Sequence, residues 1–176
     1  MNYTELSQQI HAAQVAKGFY DEKKSDPQII SLIISELYEM MDCHRKGKFV
    51  NIEILERFLN LKKWGDYDIE LFEKHLKTTF EFEFVDVFIR LLDYAGYKKL
   101  QIAWYGPYNG LKSDLFADIL EMNLNFIELL NEWAIIERPI SMLELFAELY
   151  KIDFEMLIPI KLAYNATLPY KHGKRY

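Results

Sequence analysis

The sequence predicts an all-α helical bundle on three observations. Apolar residues recur at helical spacing, capping residues bracket those stretches, and glycine and proline are scarce. With seven glycines and five prolines in 176 residues, long regular elements have room to form. The first helix is expected over roughly Thr4 to Ala16. Ser25-Asp26-Pro27 then offers an N-cap acid, Asp26, followed by proline at the first helical position, and Gly47 supplies a stop. Between them Ile29, Ile30, Ile33, Leu37, Met40 and Met41 recur at helical spacing, framing a helix over about 27–46.

Residues 50–66 read as a short helix and turn. A long helix is expected from about Asp68 to Tyr94, ended by Gly96. Its second half, FEFEFVDVFIRLLDYAG, is apolar almost all round, the pattern of a helix surrounded by protein. Ser113-Asp114 can cap a third long helix reaching about Glu137, where Pro139 breaks it. Ser141 and Glu144 have capping-box spacing for the next helix. Asp153 can cap a last one ending near Asn165, with Pro159 as a kink or as its true start. The segment YKKLQIAWYGPYNG, with its Gly-Pro and Asn-Gly pairs, reads as a loop. No repeat or linker divides the chain, so one domain over 1–176 is expected.

Composition narrows the class. At 51% hydrophobic and 27% charged, the chain has the make-up of a folded protein. A single cysteine, Cys43, excludes an internal disulfide and suits a reducing cytoplasm, the expected location. The polar start MNYTELSQQIHAAQ lacks a signal-peptide pattern, and no apolar run is long enough to span a bilayer. A net charge of −6 argues against nucleic-acid binding, which depends on Lys and Arg neutralising phosphates.

Acids three apart on a helix share a face and can point at one ion. Six such pairs occur: Glu36/Glu39, Glu39/Asp42, Glu53/Glu56, Glu70/Glu73, Glu83/Asp86 and Asp118/Glu121. That is not far above chance for 27 acids in this length, so most are solvated helix faces. Two differ by context. Glu36/Glu39 follow a strongly apolar stretch, and Glu83/Asp86 lie in the most hydrophobic stretch of all. Carboxylates gathered in low dielectric cost several kcal/mol each unless paired or metal-bound. Few cations lie nearby in sequence: Arg90 after the second pair, and Arg45, Lys46 and Lys48 after the first. Four oxygen donors without clustered His or Cys favour Mg²⁺ or Mn²⁺ over zinc. Two buried carboxylate–arginine networks are the alternative.

The stretches LIISELYEMMDCHRKGKF and FEFVDVFIRLLDYAG resemble the E-x-x-E … E-x-x-D core of the MazG-like, all-α nucleoside triphosphate pyrophosphohydrolases. Near the N-terminus, AKGFYDEK resembles that family's KGF-W/Y segment. The end KLAYNATLPYKHGKRY resembles its K-x-x-YN-x-x-RPYKHGK tail. Together these motifs cover about two-thirds of the chain. The resemblance implies magnesium-dependent hydrolysis of a nucleoside triphosphate to monophosphate and pyrophosphate, for house-cleaning or control of nucleotide pools. It implies metal ligation by Glu36, Glu39, Glu83 and Asp86, with Glu39 as the base that takes a proton from water. Substrate contacts would come from Lys17, Lys161, Asn165, Tyr170, Lys171 and Lys174, and the protein would be a homodimer or homotetramer.

Three departures stand out. The gap between the acid pairs holds 43 residues, so 50–76 reads as an insertion. Leu168 replaces the tail's arginine, and residues 97–152 exceed the minimal fold. A non-catalytic nucleotide-binding or interaction protein on the same fold is therefore the rival reading. A di-iron bundle ranks last, since no glutamate is followed three residues later by histidine.

Other residues carry weaker expectations. Tyr20 could border the pocket with Lys17, and His172 and Arg175 could reach phosphate or simply form a basic terminus. Arg90 and Asp93 are expected to orient ligands or to pair with each other. His11, His44 and His75 are expected to be solvated or locally bonded, and Cys43 to have no chemistry. Trp104, Tyr105 and Tyr108 could stack on a base or cover core.

Overall fold

The computed structural model describes residues 1–62, 68–103, 108–131 and 135–173. Among these there are eight α-helices and no strand. They are α1 (Tyr3–Ala16), α2 (Asp26–Arg45), α3 (Ile52–Lys62), α4 (Ile69–His75), α5 (Phe80–Tyr97), α6 (Leu115–Glu128), α7 (Glu137–Leu149) and α8 (Phe154–Thr167). A 3₁₀ turn, Tyr170–Gly173, follows. None of the described helices is long and apolar enough to cross a membrane.

The apolar α5 is the axis of the core. Phe82, Phe84, Val85, Val87, Phe88, Leu91, Leu92 and Ala95 are fully buried, and α1, α2, α7 and α8 all pack on it. Aromatic rings tie these layers together: Phe84 stacks on Phe146 of α7 at 5.3 Å, and Phe88 meets Phe154 of α8 at 5.1 Å. Burying each such ring contributes about 1.5–3 kcal/mol. Gly96 serves this packing, because a Cβ there would come within 2.3 Å of the Ser7 carbonyl oxygen on α1. It does not end the helix as expected. α5 runs on to Tyr97, and Lys99 takes the left-handed conformation with φ 57°.

The cap at Asp153 forms as the sequence predicts, whereas α2 is capped by Ser25 rather than Asp26, which with Pro27 lies in the first turn. Three expected boundaries are corrected. The long helix over 68–94 is two helices, parted by a turn at 77–79. There the Thr79 hydroxyl donates to the Leu76 carbonyl at 2.8 Å, satisfying a group left free where α4 stops. The helix from Asp114 stops at Glu128 rather than Glu137. Pro139 falls in the first turn of α7, where no N–H is needed, so it helps begin a helix instead of breaking one. Ser141 and Glu144 accordingly lie inside α7, and Glu144 accepts from the Tyr3 hydroxyl at 2.7 Å.

The segment read as an insertion supplies α3 and α4, which are anchored to the core. Phe58 meets Phe72 at 5.7 Å, and Phe72 lies 5.0 Å from Phe82 of α5 and 4.6 Å from Tyr164 of α8.

Candidate metal and substrate site

The apolar face of α2 that carries Ile33, Leu37 and Met40 packs on α5, and Glu36 shares that face. Glu39 sits one turn along at the edge. On α5, Glu83 and Asp86 occupy the facing side. Glu36, Glu39 and Glu83 each bring a carboxylate oxygen to within 4.8 Å of the other two. Oxygens on one magnesium ion stand about 3.0 Å apart when adjacent and about 4.2 Å apart when opposite, so the three must draw together to close on a single ion. Glu36 and Glu83 are 7% and 6% exposed, whereas Glu39 is open to solvent. The donor set therefore has a buried floor and one outward arm.

Asp86 stands outside that trio. Its Oδ2 is held by the Lys161 ammonium at 2.5 Å. Lys161 is 4% exposed and reaches Asp86 from α8. Arg90 donates from Nε to Glu36 at 3.1 Å. The site thus sets four carboxylates against two cations, Arg90 and Lys161. Arg45 and Lys46 do not help, because both pair with Asp42.

This imbalance appears in the titration of the acids. Burial, then the neighbouring Asp86, pushes Glu83 up to about 8. Glu36 is raised as well, mainly by burial, with Arg90 opposing. Burial alone would lower Arg90 and Lys161. The acids outweigh it, Glu36 and Asp86 for Arg90 and chiefly Asp86 for Lys161, and hold both above their ordinary values. Without a further cation, Glu83 is largely protonated near neutrality. Three oxygen donors, two of them buried and short of positive charge, fit a hard divalent cation.

A second hydrogen-bonded group backs the first. Asp93, one turn beyond Arg90, does not pair with it as an ion bridge. It is bound instead by His11 Nδ1 of α1 at 2.9 Å and by the Tyr20 hydroxyl at 2.9 Å. Burial and Asp93 together raise the Tyr20 hydroxyl far above its usual value. His11 thus has a long-range partner, which its isolation in the sequence did not suggest.

The two terminal motifs meet in space. Gly18, at φ +81°, lets the Tyr170 ring lie so close that a Cβ would overlap it. The Tyr170 hydroxyl donates to Asp21, the Lys171 amide donates to the Lys17 carbonyl at 2.8 Å, and Phe19 meets the His172 ring edge-on at 4.9 Å. Lys17 donates from Nζ to the carbonyls of Ala166, at 2.8 Å, and Leu168, closing the C-terminal end of α8. Arg90 lies 6.0 Å from the centre of the Phe19 ring, linking this junction to the acids. Asn165, one turn after Lys161, lines a cavity of about 260 Å³ between α1 and α8, with Gln14, Lys17 and His172. Tyr108 bonds Glu121, on a different part of the molecule. Lys174, Arg175, Trp104 and Tyr105 lie outside the described residues.

A scan of protein-family models, a search of curated proteins and a search of solved structures each find no match to this chain.

Proposed function

We propose that this protein is a magnesium- or manganese-dependent pyrophosphohydrolase that converts a nucleoside triphosphate to its monophosphate and pyrophosphate. The observation that supports the reading is the convergence of Glu36, Glu39 and Glu83 from two helices, in a setting with more negative charge than its own cations offset. Glu36, Glu39 and Glu83 hold the ion, and Asp86 completes the set once Lys161 yields or shares an oxygen. The bound ion supplies charge neutralisation for the polyphosphate and a more acidic water.

The chain's own residues do the rest. Glu39, the outward arm, takes the proton as the water oxygen bonds to the α-phosphorus. The α–β bridging P–O bond breaks, and pyrophosphate leaves with its electron pair. Arg90 and Lys161 fix the carboxylate oxygens, while Asn165 and the docked Tyr170–His172 turn face the substrate with Lys17 behind them.

The test is a panel of ribo- and deoxynucleoside triphosphates with Mg²⁺, with products identified by phosphorus NMR. Monophosphate plus pyrophosphate from at least one nucleotide is expected; release of orthophosphate, or no turnover by folded and metal-loaded protein, counts against the reading. A binding protein without hydrolysis is the second reading, favoured by the internal engagement of both Lys17 and Lys161. Saturable, metal-dependent nucleotide binding with no product would select it.

A further inference from the structure

The pattern of α6 is inverted. Its inward side carries Asp118, Asn123 and Asn125 beside Ile119, Met122 and Phe126. Its outward side carries Phe116, Leu120, Leu124 and Ile127, which are 67%, 61%, 52% and 50% exposed. At 100° per residue these four fall within an arc of about 80°, a continuous stripe some 17 Å long. Leu130, 44% exposed, follows beyond the helix end. Of the exposed residues between Phe116 and Ile127 none is charged. A helix apolar on the side away from its own core belongs between two layers of protein.

We infer that this stripe is a homodimer interface in which α6 packs antiparallel on α6 of a second copy. Area and charge point to that occupant. Phe116, Leu120, Leu124, Ile127 and Leu130 together present roughly 500 Å² of apolar surface, at the upper end of what a monomer leaves open. Two-fold pairing buries this patch twice, roughly 1,000 Å², which reaches the scale of a specific interface. The contact is self-complementary: Leu120 meets the partner's Leu124, and Phe116 meets the partner's Ile127. Each end of the stripe carries one cation and one anion. Lys112 and Asp114 flank its start, and Glu128 with Arg138, paired at 3.3 Å, flank its finish. Antiparallel pairing sets start against finish, so Lys112 faces the partner's Glu128 and Asp114 faces the partner's Arg138.

Sedimentation equilibrium of the full chain, from about 1 to 100 µM, tests this without reference to turnover. The wild type is expected to be a dimer. L120E/L124E, changed only at exposed positions, is expected to weaken association at least ~100-fold while its helical circular dichroism stays unchanged. A monomeric wild type would hand the stripe to some other partner and overturn the proposal, as would a variant that still dimerises normally. Should L120E/L124E lose helical signal, F116S at the end of the stripe decides: weakened association supports the interface, and unchanged association overturns it.

Discussion

Acids turn inward both on α6 and at the contact of α2 with α5, and their surroundings differ. On α6, Asp118 is 1% exposed and accepts from the Lys112 amide at 2.8 Å and the Tyr150 hydroxyl at 3.3 Å. Its neighbour Glu121 accepts from Tyr108 and from the Asn125 amide. Neutral donors satisfy both. Glu36 and Glu83, also buried, look instead at Glu39 and Asp86, and among the described residues the cations paired with these four acids are Arg90 and Lys161. Burial of an acid is therefore not what distinguishes a site. The distinguishing feature is the charge imbalance between α2 and α5, which the acids of α6 do not share.

The contrast can be broken first at activity. Glu39→Gln and Asp86→Asn are each expected to lower turnover at least ~10³-fold with helical content unchanged, because each removes a metal ligand or the base. Asp118→Asn should leave turnover within about twofold, a change too small to implicate a reacting group. Equal losses at both places would erase the distinction.

Stability should separate the two next. Lys161→Met strands Asp86 beside three other acids and is expected to cost about 3–5 kcal/mol in urea unfolding. The double change with Asp86→Asn should recover part of that loss. Asp118→Ala, which orphans neutral donors only, should cost about 1–3 kcal/mol.

These contrasts also show what was legible beforehand. Helices α2 and α8 announce themselves through Ser25-Asp26-Pro27 and Asp153 at their starts, although the α2 cap falls one residue earlier than the acid. The break between α4 and α5 does not, because Lys77-Thr78-Thr79 contains neither glycine nor proline. The end of α6 was hidden by an apolar period that continues through Leu129 and Leu130. Within the site, apolar context singled out Glu36, Glu39 and Glu83, which converge. The Lys161–Asp86 and His11–Asp93 pairs join residues 75 and 82 positions apart, and no local pattern encodes such meetings. The family resemblance makes Lys161 a substrate contact, and in the fold its ammonium is paired with Asp86. The family resemblance brought the two terminal motifs forward, and packing of Tyr170 on Gly18 gives them a shared location.

The pH dependence of metal-free protein sharpens the contrast further. Glu83 is raised from an ordinary 4.5 to about 8 by burial, so the folded state binds the extra proton between those values. Its contribution is present below about pH 4.5 and is lost as pH rises through about 8. The metal-free Tm should fall by roughly 10 °C from pH 5 to 8, and Mg²⁺ should restore it mainly at the upper end. A flat profile would mean that Glu83 is already compensated by other cations.

The central claim, that Glu36, Glu39 and Glu83 form a divalent-cation site, is tested most directly by titrating Mn²⁺ into the nucleotide-free protein and following free Mn²⁺ by electron paramagnetic resonance. Saturable binding is predicted for the wild type, weakened at least ~10-fold in Glu83→Gln and unchanged in Asp118→Asn. Equal binding by wild type and Glu83→Gln, or none by either with the fold intact, would contradict the account.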